Sequence, residues 1–102
     1  MSYVIELTKQ NVEEALGHLD CVLAFTATWC QPCKARASVL EAVATASLPI
    51  YKVDVEMFPD LGTRYAVNSV PTYLRVTKGI VTATAKGGMD ARHLTKCLGL
   101  PL

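Results

Sequence analysis

The chain has 102 residues, 51% of them hydrophobic, with ten basic and nine acidic side chains and a net charge of +1. That length bounds it to a single domain over residues 1–102, and the apolar share supplies a core with no need of a disulfide scaffold or structural metal. Mixed charges without a basic stripe speak against nucleic-acid binding, and no apolar run reaches the roughly 18 residues of a membrane span. Residues Met1 to Glu6 lack a basic segment followed by a long apolar one, so no signal peptide is expected and the cytoplasm is the expected location. Four cysteines are too few for a small secreted disulfide framework.

Val4, Ile5 and Leu7 suggest a short first strand. Thr8 is a plausible cap for a helix from Lys9 to Leu19, with Val12, Ala15, Leu16 and Leu19 at helical spacing. His18 falls in its last turn as a solvated side chain. Cys21 to Ala27 is apolar almost throughout, as in a strand covered on both faces. A helix over Cys33 to Ala46 carries Val39, Leu40 and Val43 among small alanines. Pro49 blocks helix, and Ile50 to Val55 reads as a strand. Pro59 sits in the first turn of a short helix from Phe58 to about Ala66. Thr72–Thr77 and Ile80–Ala85 flank a Lys78-Gly79 turn and predict an antiparallel hairpin. Asp90 caps a last helix, Ala91 to Leu98, closed by Gly99 and Pro101. The order βαβαβαββα predicts an α/β fold, a central five-stranded mixed sheet flanked by four helices.

The chemistry concentrates in Trp29-Cys30-Gln31-Pro32-Cys33-Lys34, where a strand hands over to a helix. Two thiols three positions apart suit reversible thiol–disulfide exchange. Backbone N–H groups at a helix start favour negative charge, and so favour thiolate over thiol. Cys30, ahead of the first turn, is expected to be the more exposed thiol and the nucleophile. Cys33, inside that turn, is expected to be more buried and to resolve the mixed disulfide. Pro32 suits a first helical turn because it lacks only an N–H that has no partner there. A zinc half-site completed by His93 and Cys97 is a competing reading of the Cys-x-x-Cys pair. Against it, Cys97 is spaced with Leu94 and Leu98 as a core residue, and Cys21 begins the central strand; both are expected to be small core side chains.

Taken together these residues resemble the thioredoxin family, whose usual active site reads Trp-Cys-Gly-Pro-Cys-Lys. Ala27-Thr28 before the motif is similar too, as are Val70-Pro71-Thr72, with Pro71 38 residues beyond Cys33, and Gly87 after the last strand. The resemblance runs along the whole chain. It implies the thioredoxin fold and a cis peptide bond between Val70 and Pro71. It also implies a substrate groove walled by Trp29, Gln31, Pro32, Val70, Pro71 and Gly87. Val70 would offer its backbone to an extended substrate strand, and Gly87 would keep that groove open.

Three positions depart from the family pattern. Ala24, six before Cys30, stands where most members have a buried aspartate thought to take the proton of the resolving thiol. Lys52, which usually neighbours that acid, is retained; it is expected to reach solvent, pair with Asp54 or Glu56, or support the Cys30 thiolate. Gln31 replaces a glycine. Ser38 replaces a kinking proline, so the helix after the motif is expected to run straighter.

The resemblance thus implies a protein-disulfide oxidoreductase, most simply a general reductase, in which Cys30 attacks and Cys33 resolves. Its partners would be protein disulfides and a thioredoxin reductase-type electron donor. No metal or bound organic cofactor is expected beyond the redox-active Cys30–Cys33 disulfide, and the protein is expected to be a monomer. The alternatives are a docking module in which redox cycling is incidental and, with less support, a periplasmic oxidant.

Overall fold

The strands and helices follow the alternation of the sequence closely, and a computed structural model describes residues 2–17 and 20–100. Five strands, β1 (Val4–Glu6), β2 (Asp20–Thr26), β3 (Ile50–Asp54), β4 (Thr72–Thr77) and β5 (Ile80–Lys86), form one sheet in the order β1-β3-β2-β4-β5. β1, β3 and β2 run parallel, whereas β4 is antiparallel to β2 and β5 to β4. The fold is α/β with a mixed sheet.

The apolar run in β2 is buried on both faces because its alternate residues enter two different cores. Cys21, Leu23 and Phe25 pack with Ala15 of α1 (Val12–Leu16) and Leu61 of α4 (Pro59–Arg64). Val22 and Ala24 pack with Leu40 of α3 (Ala37–Val43) and with Leu94 and Leu98 of α5 (Ala91–Leu98). A strand flanked by helices on both faces needs apolar side chains at every position, which is what Cys21 to Phe25 supplies.

Several details differ from the sequence expectations. α1 begins at Val12, not Lys9, because Thr8 and Asn11 bond each other first. Thr8 N–H donates to Asn11 Oδ1 (2.7 Å) and Asn11 N–H to Thr8 Oγ1 (3.2 Å). That reciprocal box takes up the turn before the helix. The expected end of this helix, His18 and Leu19, lies outside the described residues.

The helix expected over Cys33–Ala46 is two helices, α2 (Gln31–Ala35) and α3, so the described helices number five. The break is at Arg36 (φ −104°, ψ 10°). There the hydrogen bonds tighten to three-residue spacing, Arg36 N to Cys33 O and Val39 N to Arg36 O. The single helix expected here is thus interrupted at Arg36 even with Ser38 in place of a proline. The interruption needs no proline ring, since a tightened turn two residues earlier produces it.

Cys97 is also corrected, since it is exposed. The buried stripe of α5 is Leu94, Thr95 and Leu98, and Cys97 lies roughly 110° from its centre at 100° per residue. Cys21 is in the core at 1% exposure.

Two tight reversals aim the loops. Lys78 (φ 53°) and Gly79 (φ 81°) both take positive φ in the β4–β5 turn, the twist-matched form for a two-residue hairpin. At the end of α4, Ala66 takes φ 55°. Its N–H bonds Thr63 O (3.1 Å), and Val67 N–H bonds Gly62 O (2.8 Å). This is a Schellman closure with alanine where glycine is usual. It turns the chain toward residues 67–71, beside the Cys30–Cys33 pair.

Candidate active site

β2 ends at Thr26, and the chain reaches Cys30 through a turn in which Cys30 N–H bonds Ala27 O (3.1 Å). Cys30 is the N-cap of α2, with Pro32 in the first turn. The side chain that caps the helix is the sulfur itself: Cys33 N–H donates to Cys30 Sγ at 3.2 Å. A donor aimed at Sγ favours the thiolate when the pair is reduced. In this structure Cys30 and Cys33 are joined as a disulfide, with Cα atoms 5.3 Å apart.

The expected difference in exposure between the two cysteines is not observed. Cys30 is 3% and Cys33 9% exposed. Both belong to a small apolar cluster with Ala27, covered by Val55 and Val70. Cys30 is covered because these side chains close over the disulfide. Cys33 gains its share from a cavity of about 330 Å³ behind it, lined also by Glu6, Thr26, Thr28, Lys34, Lys52 and Asp54.

The distant residues singled out from sequence converge here. The Val70–Pro71 peptide bond is cis, and Pro71 O accepts from Gly87 N–H at 2.9 Å. Among the described residues no backbone hydrogen bond takes up the Val70 N–H or C=O, which leaves both for an incoming strand. Gly87 has φ +87°, a conformation that disfavours any side chain, and a Cβ there would meet nothing within 4 Å. The space above Gly87 is open. Trp29 is 65% exposed and, with Val55, Val67, Asn68, Ser69 and Val70, lines a recess of about 220 Å³. Gln31 and Pro32 are exposed on the first turn of α2.

Behind the site, Ala24 is fully buried, level with Lys52 on β3 and Tyr73 on β4. Lys52 pairs with neither Asp54 nor Glu56. Its Nζ lies 3.2 Å from Glu6 Oε1, because β1 and β3 run parallel with Glu6 level with Lys52. Asp54 instead accepts from Glu56 N–H at 2.8 Å, and Glu56 Oε1 accepts from Thr28 Oγ1 at 3.3 Å. His93 is bonded to Asp90 on α5. Among the described residues no group of three or more His, Cys, Asp and Glu is arranged to hold a metal ion.

Reading from sequence missed Arg36 and Gly88, which meet beside Pro32 of the motif, and Glu6 as the partner of Lys52. Arg36 stands three residues after Cys33, a spacing that puts two side chains on one helix face. Glu6 carried no local signal, because its position depends on strand pairing.

Residues 3–99 match the protein-family model described as Thioredoxin. The chain is 32% identical over 103 residues to a thioredoxin of Buchnera aphidicola, covering 96% of this chain and 95% of that protein. It is 35% identical over 88 residues to thioredoxin-1 of Drosophila melanogaster, covering 83% and 81%. Among solved structures, the thioredoxin NaTrxh of Nicotiana alata superposes with a TM-score of 0.83 at 25% identity, covering 93% of this chain and 89% of that one.

Proposed function

The chain belongs to the thioredoxin family and is a thiol–disulfide oxidoreductase; on that premise we propose that it works as a protein-disulfide reductase, with Cys30 as nucleophile and Cys33 as resolving thiol. The observation that carries the assignment of roles is the Cys33 N–H directed at Cys30 Sγ at 3.2 Å. It stabilises charge on Cys30 and none on Cys33.

In the reduced protein the Cys30 thiolate attacks one sulfur of a substrate disulfide. A Cys30–substrate disulfide forms, and the other substrate sulfur leaves as thiolate. Cys33 then loses its proton and attacks Cys30 Sγ. The Cys30–Cys33 disulfide forms and the second substrate thiolate leaves. Two electrons have passed to the substrate. A reductase of the thioredoxin reductase class returns two electrons and two protons to the disulfide.

The substrate segment adds to the free backbone edge of Val70, beside Pro71. Trp29, Gln31 and Pro32 flank it, and the open space over Gly87 admits it. The dithiol–disulfide couple is the whole redox equipment in this reading, with no metal or organic cofactor. The protein acts as a cytoplasmic monomer in electron transport and cell redox homeostasis; no helix among the described residues is long and apolar enough to cross a membrane.

Ala24 and Lys52 modulate the second step. With an alanine behind the site, no carboxylate at that position takes the Cys33 proton. Lys52, already engaged by Glu6, lines the cavity behind Cys33. The test of direction is the redox potential of the pair. A reductase has a potential nearer about −270 mV than about −120 mV; a value near the latter would make the protein an oxidant.

A further inference from the structure

The dithiol is flanked by two chemically different walls. On the Trp29 side the recess is lined by Val55, Val67 and Val70 with the amide and hydroxyl of Asn68 and Ser69, and no charged side chain. On the opposite side lies the Gly87-Gly88 segment, tied to Pro71 by the Gly87 N–H bond. Arg36 stands against it. A Cβ on Gly88 would lie 3.6 Å from Arg36 Nε, 3.8 Å from Arg36 Cγ and 3.6 Å from Pro32 Cβ. Gly88 thus faces the Arg36 stem and the proline of the motif with room for a methyl group between them, and Arg36 borders the groove beside Pro32.

The sequence makes Arg36 unusual among its surroundings. It interrupts the run Ala35, Ala37 and precedes the core residues Val39 and Leu40, yet stays half-buried. Among the described residues it enters no ion pair within 4.0 Å. Asp90 feels its field and is held below the usual carboxylate range, chiefly by the His93 backbone N–H, then by the His93 side chain, and least by Arg36. Asp90 is therefore already spent on His93, at 2.9 Å to the backbone N and 2.7 Å to Nδ1. Lys34 is exposed on α2, and Lys86 is exposed at the end of β5, on the face of the strand opposite to Ala85. Asp90, His93 and Tyr73 are the titratable groups on that side; burial pushes the Tyr73 pKa up, and the Arg36 charge opposes that with a smaller downward pull.

We propose that Arg36 is a specificity-determining residue that selects substrate disulfides carrying an acidic side chain next to the attacked cysteine, with the apolar recess beside Trp29 accepting the residues on the other side. The proposal rests on the reductase reading above and names the class of substrate that site takes. An unpaired guanidinium at the rim offers a planar pair of donors to a carboxylate. The interaction is partly exposed, so its effect is modest and falls with salt.

The experiment compares two disulfide peptides, identical except for glutamate or lysine beside the cysteine. Turnover of each is measured for the wild type, Arg36→Gln, Arg36→Glu and Lys78→Glu. Lys78 lies in the β4–β5 turn at the opposite end of the sheet, so Lys78→Glu makes the same change in net charge away from the groove. The wild type is expected to favour the glutamate peptide by roughly two- to fivefold in kcat/KM at low salt. Arg36→Gln removes that preference, Arg36→Glu inverts it and Lys78→Glu keeps it. Lys78→Glu reduces the uncharged 2-hydroxyethyl disulfide at the wild-type rate; the peptide preference of each variant is read as a ratio between the two peptides, so a change in its basal rate cancels, and thermal melts confirm that each is folded. A wild-type preference that survives in Arg36→Gln, or a wild type that reduces both peptides equally, overturns the role of Arg36. A wild type that reduces no disulfide at all overturns the reductase reading and this proposal with it.

Discussion

Replacing Ala24 by aspartate restores a carboxylate behind Cys33, and the structure allows the size of the effect to be worked out. Ala24 is fully buried and lies on the same face of β2 as Thr26, which lines the cavity behind Cys33. Cys33 itself is covered by Ala27, Val55 and Val70, so its thiol, once reduced, is disfavoured from ionising.

A well-positioned general base contributes about 10²- to 10⁴-fold to a proton-transfer step. Ala24 lies behind the cavity and is not among its lining residues, so a carboxylate introduced there is expected to fall short of that range, at up to about tenfold. The assay forms the mixed disulfide in a single turnover and follows its decay by stopped flow. Ala24→Asp should speed the decay up to about tenfold and leave the first step, attack by Cys30, unchanged. Equal decay in a folded variant would refute the reasoning. A stability signature accompanies it. The buried carboxyl has a raised pKa in the folded state, so the variant's stability relative to wild type falls as pH rises above about 4.

Other predictions concern backbone and caps. Gly87→Ala places a Cβ at φ +87° with no atom within 4 Å, so the cost is conformational, about 1–2 kcal/mol by denaturant unfolding. Its kcat/KM toward a protein disulfide should fall as well. Ala66→Gly relieves the opposite mismatch at φ 55° and should stabilise by about 1 kcal/mol, raising Tm by about 4–8 °C. Asp90→Ala removes the acceptor for His93 N–H at the start of α5. Because the folded-state pKa of Asp90 is lowered, the stability it contributes is present above the unfolded value, near 4, and disappears as pH falls through the lowered one. Melting temperatures of wild type and variant should therefore differ at pH 7 and converge in acid. Arg75 joins β2, β4 and the end of α5, through Asp20 (2.9 and 3.2 Å), Leu98 O (3.2 Å) and Gly99 O (2.8 Å). Arg75→Ala should cost about 2–3 kcal/mol in urea unfolding.

The parts of the fold legible in the sequence are those with a local cause. The two-sided burial of β2 follows from an unbroken apolar run, the hairpin from Lys78-Gly79, and the start of α5 from Asp90. The motif from Trp29 to Lys34 pointed to the dithiol, and its resemblance to a family brought Pro71 and Gly87 to it. What was not legible depends on tertiary placement. The register of β1 on β3 brings Glu6 to Lys52, and no local pattern encodes it. The break at Arg36 arises from a tightened turn that composition does not mark. The exposure of Cys97 depends on which stripe of a short helix faces the sheet. The equal burial of Cys30 and Cys33 depends on Val55 and Val70, which arrive from β3's end and from the loop after α4.

The central claim is that the Cys30–Cys33 pair carries two electrons to protein disulfides. Its most direct measurement is insulin reduction, driven by a small dithiol, by the wild type beside the Cys30→Ser, Cys33→Ser double variant. The wild type should accelerate precipitation of the reduced insulin chain, and the double variant should fall to the rate of the dithiol alone. Acceleration that persists without both cysteines would contradict the account.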